Sequence, residues 1–175
     1  LKLYKSTLML AALGASTAAF AQYGNDLKGQ TVTNIAIRVG GVLPIDNRLS
    51  DTVDGLFGLG LEYTMGKSLF KTGETYLALD WMFDSISGSK VNIYPLTINQ
   101  RFYYGSDSTR RSYGFVGLGA FIIDGARSDT TLGVRGGFGT ELGQNLFAEA
   151  AATFADSSKA KVRANTIGLY LGYRF

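Results

Sequence analysis

Eight charged residues carry most of the chemistry this chain could do: Arg38, Arg101, Arg135 and Arg174, with Glu62, Asp80, Glu141 and Glu149. Each sits in a stretch of otherwise uncharged, mostly apolar residues. Four of each sign could neutralise one another in a shared interior, or could form a path for a proton or an ion. The chain has no His and no Cys. Ser-His-Asp triads, His metal sites and disulfide frameworks are therefore excluded. A Ser-Lys or carboxylate mechanism stays formally open, but no constellation points to one. The expectation is no catalytic residue, no metal and no cofactor. Asp46, Asp51 and Asp54 with Asn47 match no cation-loop spacing and read as a solvated acidic loop. Gly58/Gly60 and Gly137/Gly139 are not phosphate loops, because no helix follows them.

The elements that hold these residues read as strands. Apolar and small or polar residues alternate with period two through eight segments, the mark of a strand with different surroundings on its two faces. The segments are roughly 33–43, 56–65, 75–83, 91–104, 113–123, 131–142, 146–155 and 167–175, lengths near the ~10 residues that a tilted strand needs to cross a bilayer. In the second, Phe57, Leu59, Leu61, Tyr63 and Met65 oppose Gly58, Gly60, Glu62 and Thr64. In the fourth, Gln100 interrupts an apolar face made by Leu96, Ile98 and Phe102. The fifth is apolar or small on both faces, so its orientation is open. The seventh is rich in Ala, but the turn residues before it and its alternation favour a hairpin strand over a helix.

All eight charges fall on the faces opposite the large aliphatic residues. An even number of strands would put both chain ends on the periplasmic side, and closing them into a barrel would put the charges inside and the aliphatic faces against lipid. A charge on the lipid face would cost about 2–4 kcal/mol at the midplane. The expected fold is all-β: an eight-stranded antiparallel up-and-down transmembrane β-barrel. Residues 66–73, 105–111 and 143–145 would be periplasmic turns; 44–54, 84–90, 124–130 and 156–165 would be outer loops. Tyr63, Tyr104, Tyr113, Tyr173 and Phe175 would form one aromatic rim, and Trp81, Phe83, Tyr94 and Phe154 the other. Arg110 and Arg111 would simply solvate their turn.

Composition and the chain ends agree. There are 23 Gly and 10 Tyr, which suit crowded lumen positions and membrane interfaces, and only two Pro. Net charge is +3, too mild to argue for nucleic acid. Lys2 and Lys5, the apolar run 8–20 and Ala19-Phe20-Ala21 predict a cleaved signal peptide over 1–21. Residues 22–32 would be a periplasmic leader and 33–175 the barrel, a single domain of about 150 residues.

At the far end, Ile167, Leu169, Leu171, Tyr173 and Phe175 form one face of a regular strand. Leu171, Tyr173 and Phe175 resemble the signal read by the barrel assembly machinery. The chain as a whole resembles the small eight-stranded outer-membrane barrels, OmpA-like and OmpX-like. The resemblance rests on residues 34–44, the Gly-rich 115–120 and 133–139, residues 146–149 after a tight turn, and 168–175. It implies an outer-membrane location in a diderm bacterium and contact with outer-membrane lipids and lipopolysaccharide. With no peptidoglycan-binding domain in view, it does not imply cell-wall anchoring. Lys159, Lys161 and Arg163 in the last loop could reach lipopolysaccharide phosphates.

The function expected is structural or surface-interactive, by a monomer, with no catalysis. The related lipid-modifying barrels depend on a catalytic His that this chain lacks. A narrow gated channel with a salt-bridged lumen is the rival. A soluble lipocalin-like carrier, with the aliphatic face inside, is the other.

Overall fold

The computed structural model describes residues 34–65, 69–70, 73–84, 91–104, 111–125, 128–158 and 162–175. The expected signal peptide and leader, Arg110, Lys159 and Lys161 lie outside the described residues. Eight strands follow in chain order: β1 (Ile35–Pro44), β2 (Leu56–Thr64), β3 (Glu74–Phe83), β4 (Asn92–Tyr104), β5 (Ser112–Asp124), β6 (Asp129–Glu141), β7 (Leu146–Ala155) and β8 (Thr166–Arg174). Each pairs antiparallel with its sequence neighbour, and β1 pairs with β8 to close the barrel. The closing register runs from Ala36 opposite Arg174 to Pro44 opposite Thr166. Closure leaves no unpaired sheet edge.

Period two explains what each strand buries. Ala36, Arg38, Gly40 and Val42 point in from β1, while Ile35, Ile37 and Leu43 are exposed on the outside. The ambiguous fifth strand is resolved by its neighbours: Val116, Leu118 and Ile122 face out, and Tyr113, Phe115, Phe121 and Ile123 face in. Tyr113 is thus a correction. It belongs to the interior, not to an aromatic rim, because its position shares the parity of Phe115. Tyr63, Tyr104 and Phe175 are exposed at the end where β8 finishes, and Trp81 and Phe154 at the opposite end.

Two connections differ from the plain loops expected. Residues 45–55 contain a short helix, α1 (Asn47–Thr52). Asp46 caps it by accepting the Leu49 N–H at 3.1 Å, the usual role of an Asp ahead of a first turn. Leu49 and Val53 then turn into the barrel mouth and are buried. Between β5 and β6 the strands extend further than expected, to Asp124 and from Asp129, so the connection shortens.

The interior is layered. At the loop end, Val42, Leu49, Val53, Leu56, Met82, Ile93, Phe121, Ile123 and Ala164 make an apolar plug. The loop before β8 folds onto it: Thr153 Oγ1 donates to the Ala164 carbonyl at 2.8 Å and contacts Thr166 Oγ1 at 2.7 Å. Toward the turn end the interior becomes charged and aromatic. Glycines make room for the rings. At Gly172 a Cβ would strike the Phe147 ring, and at Gly139 it would strike Tyr113. An eight-stranded barrel is just wide enough for such side chains to fill it.

Candidate functional site

The charged layer lies between the apolar plug and the turn-end mouth. Arg38 comes from β1, Glu62 from β2, Asp80 from β3, Arg101 from β4, Arg135 from β6 and Glu149 from β7. All six are buried, none more than 3% exposed. No element brings them close in sequence. The closed register does, by stacking inward positions of six strands around one axis.

Arg38 is the hub. Its Nη2 donates to both Asp80 oxygens at 2.8 and 2.9 Å, and its Nε donates to Asp80 Oδ1 at 3.1 Å. Its Nη1 donates to Glu62 Oε1 and, at 3.3 Å, to Glu149 Oε1. Arg101 Nη2 donates to the other Glu62 oxygen at 2.7 Å. Arg135 Nη2 donates to Glu149 Oε1 at 2.6 Å and its Nη1 lies 3.7 Å from Asp80 Oδ2. Tyr113 Oη donates to Glu149 Oε2 at 3.2 Å. Three guanidinium groups and three carboxylates therefore form one cluster with no net charge. Desolvated ions hold such positions only when paired and hydrogen-bonded.

The remaining two sequence-derived residues stand apart. Arg174 Nη1 donates to Glu141 Oε1 at 2.7 Å near the turn end, outside the six-residue cluster. Arg111 joins them, with Nε 3.2 Å from Glu141 Oε2. Its guanidinium also lies 3.9 Å from the Tyr103 ring centroid. Arg111 is therefore a correction: it pairs at the mouth, where Glu141 supplies a counter-charge, and does more than solvate a turn. Glu74 accepts from Tyr103 Oη at 2.8 Å and sits 3.8 Å from Arg101 Nη1.

Sequence reasoning missed the aromatic half of the site. Arg101 lies 4.2 Å from the Tyr76 ring centroid and 4.7 Å from that of Tyr113. Arg135 lies 4.9 Å from Phe115, Arg38 5.4 Å from Tyr170, and Arg174 4.9 Å from Phe147. Every charged interior Arg thus has a ring face as well as a carboxylate, an attraction that strengthens where water is excluded. Tyr76 and Tyr170 share the strand parity of Asp80 and Arg174, a signal already present in the alternation.

Chemically the arrangement pairs every carboxylate, while Arg101 Nε and Nη1 and Arg135 Nη1 stay buried with no hydrogen-bond partner among the described residues. The carboxylates are engaged by guanidinium groups, and the apolar plug covers the loop end. No group of three or more metal-ligating side chains stands together among the described residues. Arg163 is exposed at the loop end. On β8, Leu171 and Tyr173 are half-buried at outward positions, and Phe175, just past the strand's end, is exposed.

Neither the scan against protein-family models nor the search of curated proteins finds a match. Solved structures do match. The N-terminal β-barrel domain of Pseudomonas aeruginosa OprF superposes at a TM-score of 0.51 with 17% identity, covering 83% of this chain and 100% of that one. Neisserial surface protein A gives 0.52 with 10% identity over 83% and 100%. Ail, the attachment invasion locus protein of Yersinia pestis, gives 0.50 with 17% identity over 82% and 99%. All three are eight-stranded outer-membrane barrels, and this chain shares their fold.

Proposed function

We propose that this chain is an integral outer-membrane β-barrel protein with a structural or surface-interaction role and no catalysis. One observation carries the reading: the barrel is inside-out relative to a soluble protein. Arg38, Arg101, Arg135, Glu62, Asp80 and Glu149 are buried, while Leu61, Leu79, Leu96, Leu118, Leu132 and Phe138 are 48–76% exposed on the outside. Such an exterior needs hydrocarbon around it. A lipocalin-like carrier requires the reverse distribution, so the soluble reading falls.

The filled interior favours a scaffold over a channel. Leu49 and Val53 close one end, and the neutral ion-pair cluster occupies the middle. In this role the protein is a monomer that displays its loop end to the exterior. Arg163, with Lys159 and Lys161, is offered to lipopolysaccharide phosphates. The outward stripe of β8, ending in Leu171, Tyr173 and Phe175, is the surface the assembly machinery would read. Fractionation of the producing cells, with electrophoresis of boiled and unboiled samples, tests the core of this reading. An outer-membrane band whose mobility shifts on boiling supports it. A soluble periplasmic protein with unshifted mobility overturns it.

A further inference from the structure

Gln100 interrupts the outward face of β4, and the structure reveals what covers it. Gln100 pairs in register with Thr75 of β3, and both occupy outward positions, in line with exposed Leu77, Leu79 and Leu96. Yet Thr75 is 0% exposed and Gln100 only 4%. Their side chains are joined, Thr75 Oγ1 to Gln100 Oε1 at 2.6 Å. Thr75 Oγ1 also accepts the backbone N–H of Leu69, in the β2–β3 connection, at 2.7 Å.

Gly73 lets the chain return this way. Its φ is +90°, a conformation L side chains rarely adopt, and a Cβ there would meet the Arg101 carbonyl and Gln100 Nε2. Leu69 and Gly73 are thus held against the outside of the barrel at Thr75 and Gln100. Leu69 and Phe70, which it carries, are 63% and 60% exposed.

The arrangement replaces polar surface with apolar surface. Two polar side chains stand where lipid would otherwise touch them. They bond to each other and to the Leu69 N–H, and beside them Leu69 and Phe70 turn two large apolar side chains outward. We propose that Leu69 and Phe70 form a flap that inserts into the lipid headgroup–acyl boundary at the turn end of the barrel. This surface is continuous with the apolar exterior through Leu77 and Met65, both exposed. Aromatic and apolar side chains favour that boundary. The inference rests on the outer-membrane reading.

The test is fluorescence of a Phe70→Trp, Trp81→Phe chain in vesicles of phosphatidylcholine brominated at shallow or deep acyl positions. The expected result is blue-shifted emission that loses most of its intensity to shallow bromines and less to deep ones. Adding Thr75→Val removes the acceptor for Leu69 N–H, and should make the same Trp severalfold more accessible to aqueous iodide. Water-like emission, unquenched by bromine and open to iodide before Thr75→Val, overturns the flap. Native Trp81 in the parent chain is the control. If bromines quench it while Trp at position 70 stays in water, only the flap fails. If neither is quenched, the membrane reading fails as well.

Discussion

Arg38 and Asp80 grip each other across Gly60. Arg38 is the register partner of Gly60 on β2, and Gly60 is the partner of Asp80 on β3. The guanidinium and carboxylate therefore meet over the one position between them that has no side chain. Their three donor–acceptor distances are 2.8, 2.9 and 3.1 Å. A Cβ at Gly60 would come 2.6 Å from Arg38 Nε and would also strike Asp80 Oδ1.

Filling that gap should separate the pair. Gly60→Val is expected to lower unfolding free energy by about 1–3 kcal/mol, the usual cost of overpacking, and by more if the ion pair parts. The check is the urea midpoint of the folded protein in detergent. A parental midpoint would mean that the pair has room to shift.

Removing one partner is worse than removing both. Asp80→Asn leaves Arg38 with less counter-charge in a buried cluster, and a loss of about 3–5 kcal/mol is the expectation for a broken buried pair. An Arg38→Met, Asp80→Leu double variant should recover much of it, since apolar replacements of buried ion pairs are often neutral. The same urea series reads both. A double variant less stable than the single one counts against the pair as the source of the cost.

Planar bilayers separate scaffold from channel. The folded protein is expected to give no reproducible unitary conductance, because the plug around Leu49 and Val53 and the ion-pair cluster fill the interior. Unitary steps that change with Arg135→Ala or Glu62→Ala would instead make the interior a gated path.

The outward face should reject charge. Leu118, 64% exposed near the middle of β5, is the site. Leu118→Arg is expected to cost about 2–4 kcal/mol when the protein unfolds from vesicles. Unchanged stability would mean that Leu118 faces water.

Much of this was legible in the sequence. The alternation in β2, Phe57 to Thr64, assigns both its extent and its faces, because one side meets hydrocarbon and the other a polar interior. The eight charges could be assigned to one interior on parity alone. Parity said nothing decisive about Tyr113 and Phe115, whose strand is apolar or small on both faces. Nor could it show that Gln100 is sheltered, since that depends on Leu69 N–H reaching its partner Thr75 and on Gly73 lying against its amide.

The sequence by itself determined the class of fold and which side of most strands turns inward, β5 excepted, since period-two patterning is a local property of the chain. Only the tertiary structure decided who meets whom. Ring closure sets the stagger between strands, and the stagger puts Arg38 beside Asp80, Glu62 and Glu149 while holding Arg174 with Glu141 and Arg111 at the mouth. It also brings Tyr76 and Tyr113 to the faces of Arg101. Several of those contacts, such as Arg38 with Glu149 of β7, join strands far apart in the chain, and all their partners are fixed by the geometry of a closed sheet.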